Sequence, residues 1–155
     1  MTMHAAATSA GLDHPAVLAG SLADEKAGAI RLPRGLPGFA SARSFRLEPP
    51  VAAGVPFMRL HSTEQERLGF MVLPVPAELR FLAAADSTAV CRELGIDGDN
   101  LLLLLMVTLE PSPAGIAAFA NLRAPLFVDT ERRLGWQVVL PARDYPIRYP
   151  LQAPR

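Results

Sequence analysis

The chain has 155 residues, half of them hydrophobic and 19% charged, with 15 Lys plus Arg against 15 Asp plus Glu. That length carries one domain with a real core, and the composition is too apolar for a disordered chain. The zero formal charge disfavours direct nucleic-acid binding, which draws on a basic surface to neutralise phosphates.

Residues 1–27 are rich in small residues without a strong period and read as a flexible N-terminal tail with one weak helical turn, outside a folded domain spanning 28–155. The opening MTMHAAATSA has no basic start followed by a long apolar stretch, so no signal peptide is read there. From Ala29 onward short apolar segments alternate with Pro and Gly. Ala29 to Leu32 predict a strand stopped by Pro33, and Gly35, Pro37 and Gly38 a tight loop. Ser44 to Leu47 predict a second strand and Phe57 to His61 a third, with Met58 and Leu60 on one face and Phe57, Arg59 and His61 on the other. Leu68 to Leu73 predict a fourth, ended by Pro74 and Pro76.

A short helix follows, with Asp86 or Ser87 as the capping residue, Val90 and Leu94 on one face, and Gly95 at the left-handed end. DGDN at 97–100 predicts a turn; it has the oxygens of a calcium loop without the length or the distal Glu. Leu101 to Leu109 predict a central strand, apolar on both faces and therefore covered on both. Its longest apolar run, Leu101 to Val107, has seven residues where a membrane helix needs roughly 20. Pro125 to Val128 and Leu134 to Leu140 predict a hairpin, with Gly135 marking a bulge or a close approach. YPIRYPL at 145–151 predicts an edge segment, because Pro146 and Pro150 cannot donate to a ladder. Repeated short strands with these breakers indicate a mostly β, single-domain, antiparallel barrel-like fold with one short helix.

Chemistry is sparse. The histidines His4, His14 and His61 have no neighbours at ligand spacing, and no nucleotide-binding or hydrolase motif is present. His61 beside Ser62 reads better as a polar strand end than as a catalytic pair. Cys91 can be a nucleophile but reads as a small apolar helix residue, and a single cysteine allows no intrachain disulfide. No catalytic residue, metal site or cofactor is expected, and a binding role is favoured over an enzyme.

The segment NLRAP at 121–125 has two readings. In one it is a strand-entry device: Pro125 delays the ladder, Ala124 is held extended, and Asn121 closes the loop on backbone. In the other, Asn121 and Arg123 reach a partner. Phe39 is likewise either a core anchor or an exposed hot spot. Tyr145 and Arg148 are residue types used both at edges and at interfaces.

Together NLRAPLFVD and GWQVVL resemble the C-terminal signature of the FliW flagellar assembly factors, through Asn121, Leu122, Ala124, Pro125, Gln137, Val138, Val139 and Leu140. Tyr145 and Arg148 fit its following Tyr-x-x-Arg, GLPGF at 35–39 its Gly-x-x-Gly-Phe loop, and LGFMVLP at 68–74 its Phe-x-Val-x-x-Pro strand. The likeness runs from about Ala29 to Leu151, with Asp129 where an Asn is common, a longer leading tail, and a neutral chain where the family tends to be acidic. With no signal peptide read and no membrane-length apolar run, a cytoplasmic protein is expected, and the resemblance implies a non-enzymatic regulator. Such proteins bind flagellin and, when flagellin is scarce, sequester the RNA-binding repressor CsrA, so that flagellin messenger is translated. Phe39, Asn121, Arg123, Tyr145 and Arg148 are the partner-binding candidates. A flagellin chaperone without CsrA regulation and a small-ligand or flavin-binding barrel are the alternatives. A patch of Glu64, Glu66 and Glu78 could restore attraction to a basic partner.

Overall fold

The computed structural model describes residues 18–24, 28–50, 56–75, 82–141 and 144–151. Its strands are β1 (Ile30–Arg31), β2 (Ser44–Glu48), β3 (Met58–Ser62), β4 (Gly69–Val75), β5 (Leu101–Ser112), β6 (Gly115–Ala120), β7 (Leu126–Asp129), β8 (Leu134–Gln137) and β9 (Tyr149–Leu151). Residues 18–23 form a short helix, α1, and Ala84–Leu94 form α2. The mostly β fold expected from the punctuation is the one observed.

The strands form one sheet in the order β4-β3-β2-β1-β8-β7-β5-β6-β9, and β4 also pairs with β5. That extra pairing closes a ring of β1, β2, β3, β4, β5, β7 and β8. All ring contacts are antiparallel except β1 with β8, a single parallel register pair of Arg31 with Leu134. β5 is long enough to serve three neighbours. One edge pairs with β4 through Leu103 to Val107; the other pairs first with β7 through Leu101 to Leu104, then with β6 through Val107 to Ser112. Beyond Val107 the β5–β6 hairpin therefore leaves the ring as an arm, with β9 along its outer edge.

Strand alternation sorts the apolar side chains into two layers. Inside the ring lie Phe45, Leu47, Leu60, Val72, Leu102, Leu104, Leu126 and Val128, all fully buried. Outside it, Leu101, Leu103, Leu105, Phe127 and Trp136 pack under α2 with Val90, Cys91 and Ile96. β5 is thus apolar and covered on both faces as far as Val107; beyond it the expected cover is missing among the described residues, and Leu109 is 41% exposed. Each fully buried Leu or Phe stabilises the fold by about 1.5–3 kcal/mol.

Two local devices fix the ends. Asp129 is buried; its Oδ1 accepts from the backbone N–H groups of Glu131 and Arg132, and its Oδ2 from Arg132 Nε at 2.7 Å. Burial alone would raise this carboxyl, but Arg132 and the two N–H groups outweigh it and hold the pKa below its ordinary value of 3.8. Arg132 also donates to the carbonyls of Leu94 and Gly95, which ties the β7–β8 turn to the end of α2. Gly95 sits there at φ 72°, the left-handed end expected from sequence.

Several boundaries differ from expectation. α2 begins at Ala84 after Ala83, which has no capping side chain. The Tyr145 hydroxyl stands in, accepting from the Ala83 N–H and donating to Asp86 Oδ2. β6 was not expected, because GIAAFA has neither alternation nor β-branched bulk beyond Ile116. β8 ends at Gln137, after which Val138 and Leu140 donate to the carbonyls of Pro125 and Arg123. The expected tail falls largely on residues outside the described ones. Within it, residues 18–23 are helical, and Ala19 and Leu22 are buried in the interior layer.

Candidate functional site

The turn after β1 shapes one mouth of the ring. In Leu36-Pro37-Gly38-Phe39 the Phe39 N–H donates to the Leu36 carbonyl at 2.7 Å, with Gly38 at φ 83°. Pro then Gly at the central positions, the latter with positive φ, is the signature of a type II turn. Gly35, at φ 64°, has Ala40 backbone atoms where a Cβ would lie, so the loop is wound too tightly for any side chain there. Leu36 points into the ring and is buried, while Phe39 remains 41% exposed. An aromatic series links surface to core: Phe39 meets Phe70 edge-on at 5.4 Å between centroids, and Phe70 meets fully buried Phe45 at 6.2 Å.

The NLRAP segment forms the opposite wall. Asn121 Oδ1 accepts from the N–H groups of Arg123 and Ala124, and Gln137 Nε2 donates to the Ala124 carbonyl. Arg123 Nε donates to the Tyr145 carbonyl, and the Leu122 N–H to the Pro146 carbonyl, which holds the C-terminal segment in place. Between the walls is an open groove of about 420 Å³, lined by Leu36 and Pro37 from the turn, Phe70 from β4, Met106 from β5, Asn121, Arg123 and Ala124, Gln137 and Val139, and Ile147. Val139 and Ile147 are 70% and 57% exposed, large apolar side chains standing in solvent beside an apolar floor.

Three of the five candidates from sequence converge here: Asn121 and Arg123 in the wall, and Phe39 beside it against Phe70. Two do not. Tyr145 is buried against the layer under α2, and its hydroxyl serves the helix start. Arg148 lies on the arm, where it grips Glu110 with both terminal nitrogens and stacks 3.6 Å above the Phe119 ring. That ion pair holds the Glu110 carboxyl below its usual range. Sequence reasoning did not single out Met106 or Ile147, whose strand or edge context gave no sign of a shared surface, and Val139 stood out only as part of GWQVVL. Phe70 was visible only as part of LGFMVLP.

Cys91, His61, Glu64 and the DGDN turn are each engaged within the fold. Cys91 is buried, and burial pushes its thiol up, against the ionisation a nucleophile needs. His61 Nδ1 lies 3.1 Å from Glu48 Oε1 and its Nε2 2.6 Å from the Glu66 carbonyl, tying strand to loop. In DGDN, Asp97 Oδ1 accepts from the Asp99 N–H, and Asn100 donates to Glu131. Glu64 Oε1 accepts from the Arg43 and Ser44 N–H groups, and Glu78 lies outside the described residues. Among the described residues, no three His, Cys, Asp or Glu side chains group as a metal site would need.

A ring filled with side chains, with an apolar groove walled by amide and guanidinium groups at its mouth, defines a small, mostly β, barrel-like protein. Comparison with known proteins places it further. The family model described as FliW protein matches residues 16–151. A flagellar assembly factor FliW from Geobacter sulfurreducens is 33% identical over 135 residues, covering 84% of this chain and 80% of that protein. One from Natranaerobius thermophilus is 31% identical over 123 residues, covering 79% and 80%. A crystal structure of the flagellar assembly factor FliW matches with a TM-score of 0.61 at 25% identity, covering 81% of this chain and 86% of that one. The chain belongs to the FliW family of flagellar assembly factors.

Proposed function

We propose that this protein is a cytoplasmic, non-enzymatic regulator that binds flagellin at the barrel-mouth groove and binds CsrA in alternation with it, so that free flagellin sets how much CsrA is available to repress flagellin translation. The observation that carries the reading is the groove itself. Family-motif residues from three separate segments, GLPGF, LGFMVLP and NLRAP, meet at one surface. A groove with an apolar floor suits an amphipathic helix laid along it, the apolar side chains entering and the polar face left in water. Phe39, Val139 and Ile147 would be covered by such a helix, and Asn121, Arg123 and Gln137 would fix its register.

The CsrA arm rests on family membership more than on the surface. The chain is neutral, and Glu64 is committed to the backbone N–H groups of Arg43 and Ser44, so attraction to a basic partner is reduced. This favours one second reading, a flagellin chaperone without CsrA regulation. A flavin inside the ring is disfavoured because the interior is occupied by Phe45, Leu47, Leu60 and their neighbours.

Calorimetry against unassembled flagellin and, separately, CsrA from the same organism tests the proposal. Binding to both with competition supports it, and flagellin alone selects the chaperone reading. Phe39→Ala with Val139→Asp, fold verified, is expected to weaken flagellin binding by at least about tenfold. Unchanged affinity in that variant would reject the groove as the flagellin site.

A further inference from the structure

Among the described residues, the flank of the ring opposite α2 carries no covering layer. Its outward residues on β1 to β3 are Arg31, Ser44, Arg46, Glu48, Arg59 and His61, the inward ones being apolar or Ser62. Register sets their arrangement: Arg31 opposes Ser44, Arg46 opposes His61, and Arg59 opposes Glu48. Each arginine is therefore one strand over and two residues along from the last, a diagonal row with steps of about 7–8 Å.

Glu48 lies across from Arg59, but among the described residues no ion pair closes on this row. The side chains of Arg31, Arg46 and Arg59 make no ion pair or hydrogen bond with another described residue. The carboxylate on the same face, Glu48, is turned to His61 Nδ1. The sheet also makes room for one guanidinium: a Cβ on Gly69 would lie 2.7 Å from Arg59 Nε and 3.1 Å from its Nη2. Glycine weakens a strand interior and often marks a close approach, and here the approach is that of the arginine head laid flat on β4. The molecule's charge is meanwhile uneven. On and around α2, Asp86, Glu93, Asp97, Asp99 and Glu131 outnumber Arg92 and Arg132, so zero net charge is compatible with a basic flank elsewhere.

We propose that the Arg31–Arg46–Arg59 face is a second docking surface, separate from the mouth groove, for an acidic extended segment of a protein partner. An extended chain places every second side chain on one side, about 6.6–6.8 Å apart. Carboxylates along such a segment come within reach of the guanidinium forks, which bind a carboxylate through two parallel N–H groups. The neutral balance of the whole chain argues for such a segment over nucleic acid, whose binding draws on long-range positive charge.

Fluorescence anisotropy of a labelled alternating Glu-Ser decapeptide against the full chain tests this. The expected result is saturable binding that weakens as salt rises through the physiological range of about 0.15 M. Arg31→Gln, Arg46→Gln and Arg59→Gln together should lower affinity roughly tenfold, three exposed ion pairs being lost. Gly69→Ala, which changes no charge, should weaken binding several-fold by displacing the Arg59 head, while Val139→Asp in the groove should leave it unaltered. Circular dichroism confirms that each variant folds. Absence of binding at low salt, wild-type affinity in the triple variant, or stronger binding of a single-stranded oligonucleotide of equal charge would each overturn the proposal.

Discussion

Tyr145→Phe removes one oxygen and leaves the ring in its apolar seat, so it isolates what the hydroxyl does. In a capping box the side chain at the third helical position reaches back to the N–H of the cap residue. Here Asp86 holds that third position, and the Tyr145 hydroxyl stands between its carboxylate and the Ala83 N–H. The bond to the carboxylate is charge-assisted and is worth about 1.5 kcal/mol or more. Ala83 is exposed, so water replaces the second bond and its loss costs about 0.5 kcal/mol. Together the substitution should destabilise by about 2 kcal/mol, a fall in Tm of roughly 4–8 °C for a domain of this size. Urea unfolding measures it, with the midpoint falling and the slope unchanged. Combining Tyr145→Phe with Asp86→Ala should cost less than the sum of the two, since both break the same bond. Flagellin affinity should not move, because Tyr145 is buried and lines no part of the groove. Unaltered stability with lost affinity would refute the reasoning and return Tyr145 to the list of contacts. Burial and Asp86 also raise the Tyr145 pKa above its ordinary value of 10.0. A group with a raised folded pKa contributes stability that is complete below the unfolded value and is lost as pH rises through the folded one, so this contribution fades only in strong alkali.

Asp129→Asn keeps the acceptor for the Glu131 and Arg132 N–H groups but loses the charge facing Arg132, at about 1 kcal/mol near neutral pH. Because the folded Asp129 pKa lies below 3.8, its contribution is present above that value and lost as pH falls through the folded pKa. The urea midpoint of Asp129→Asn should therefore drop less between pH 7 and pH 3 than that of the parent chain, and an equal drop would contradict the ion pair. Gly35→Ala forces a side chain into the left-handed region against Ala40 backbone, and should destabilise by at least about 1–2 kcal/mol in thermal unfolding.

Most strands were legible because Pro and Gly bracket short apolar runs, and the faces of β3 followed from alternation alone. What escaped depends on partners far away in sequence. Sequence displays only local caps and so points to Asp86 or Ser87 for the helix start, whereas the capping oxygen comes from Tyr145, 62 residues from Ala83. β6 has four alanine or glycine residues in six and reads as structureless until β5 pairs with it. The groove was half visible. Asn121 and Arg123 stand out as polar residues in a strand entrance, while Met106 and Val139 look like any other strand residues until the ring closes. The split of Tyr145 and Arg148 away from the groove follows from Asp86 and Glu110, neither of which sits near its partner in the chain.

The single parallel pair between Arg31 and Leu134 has a consequence for how the chain is made. A nascent chain emerges from the ribosome N-terminus first, so β1 is exposed long before β8 exists. β2, β3 and β4 can form a meander early, but the ring cannot shut, and its apolar lining cannot be sealed from water, until the β7–β8 hairpin arrives. Contacts so distant in sequence are slow to form. The half-built sheet spends that interval with open edges and an uncovered inner face, the period in which a newly made copy is most exposed to aggregation.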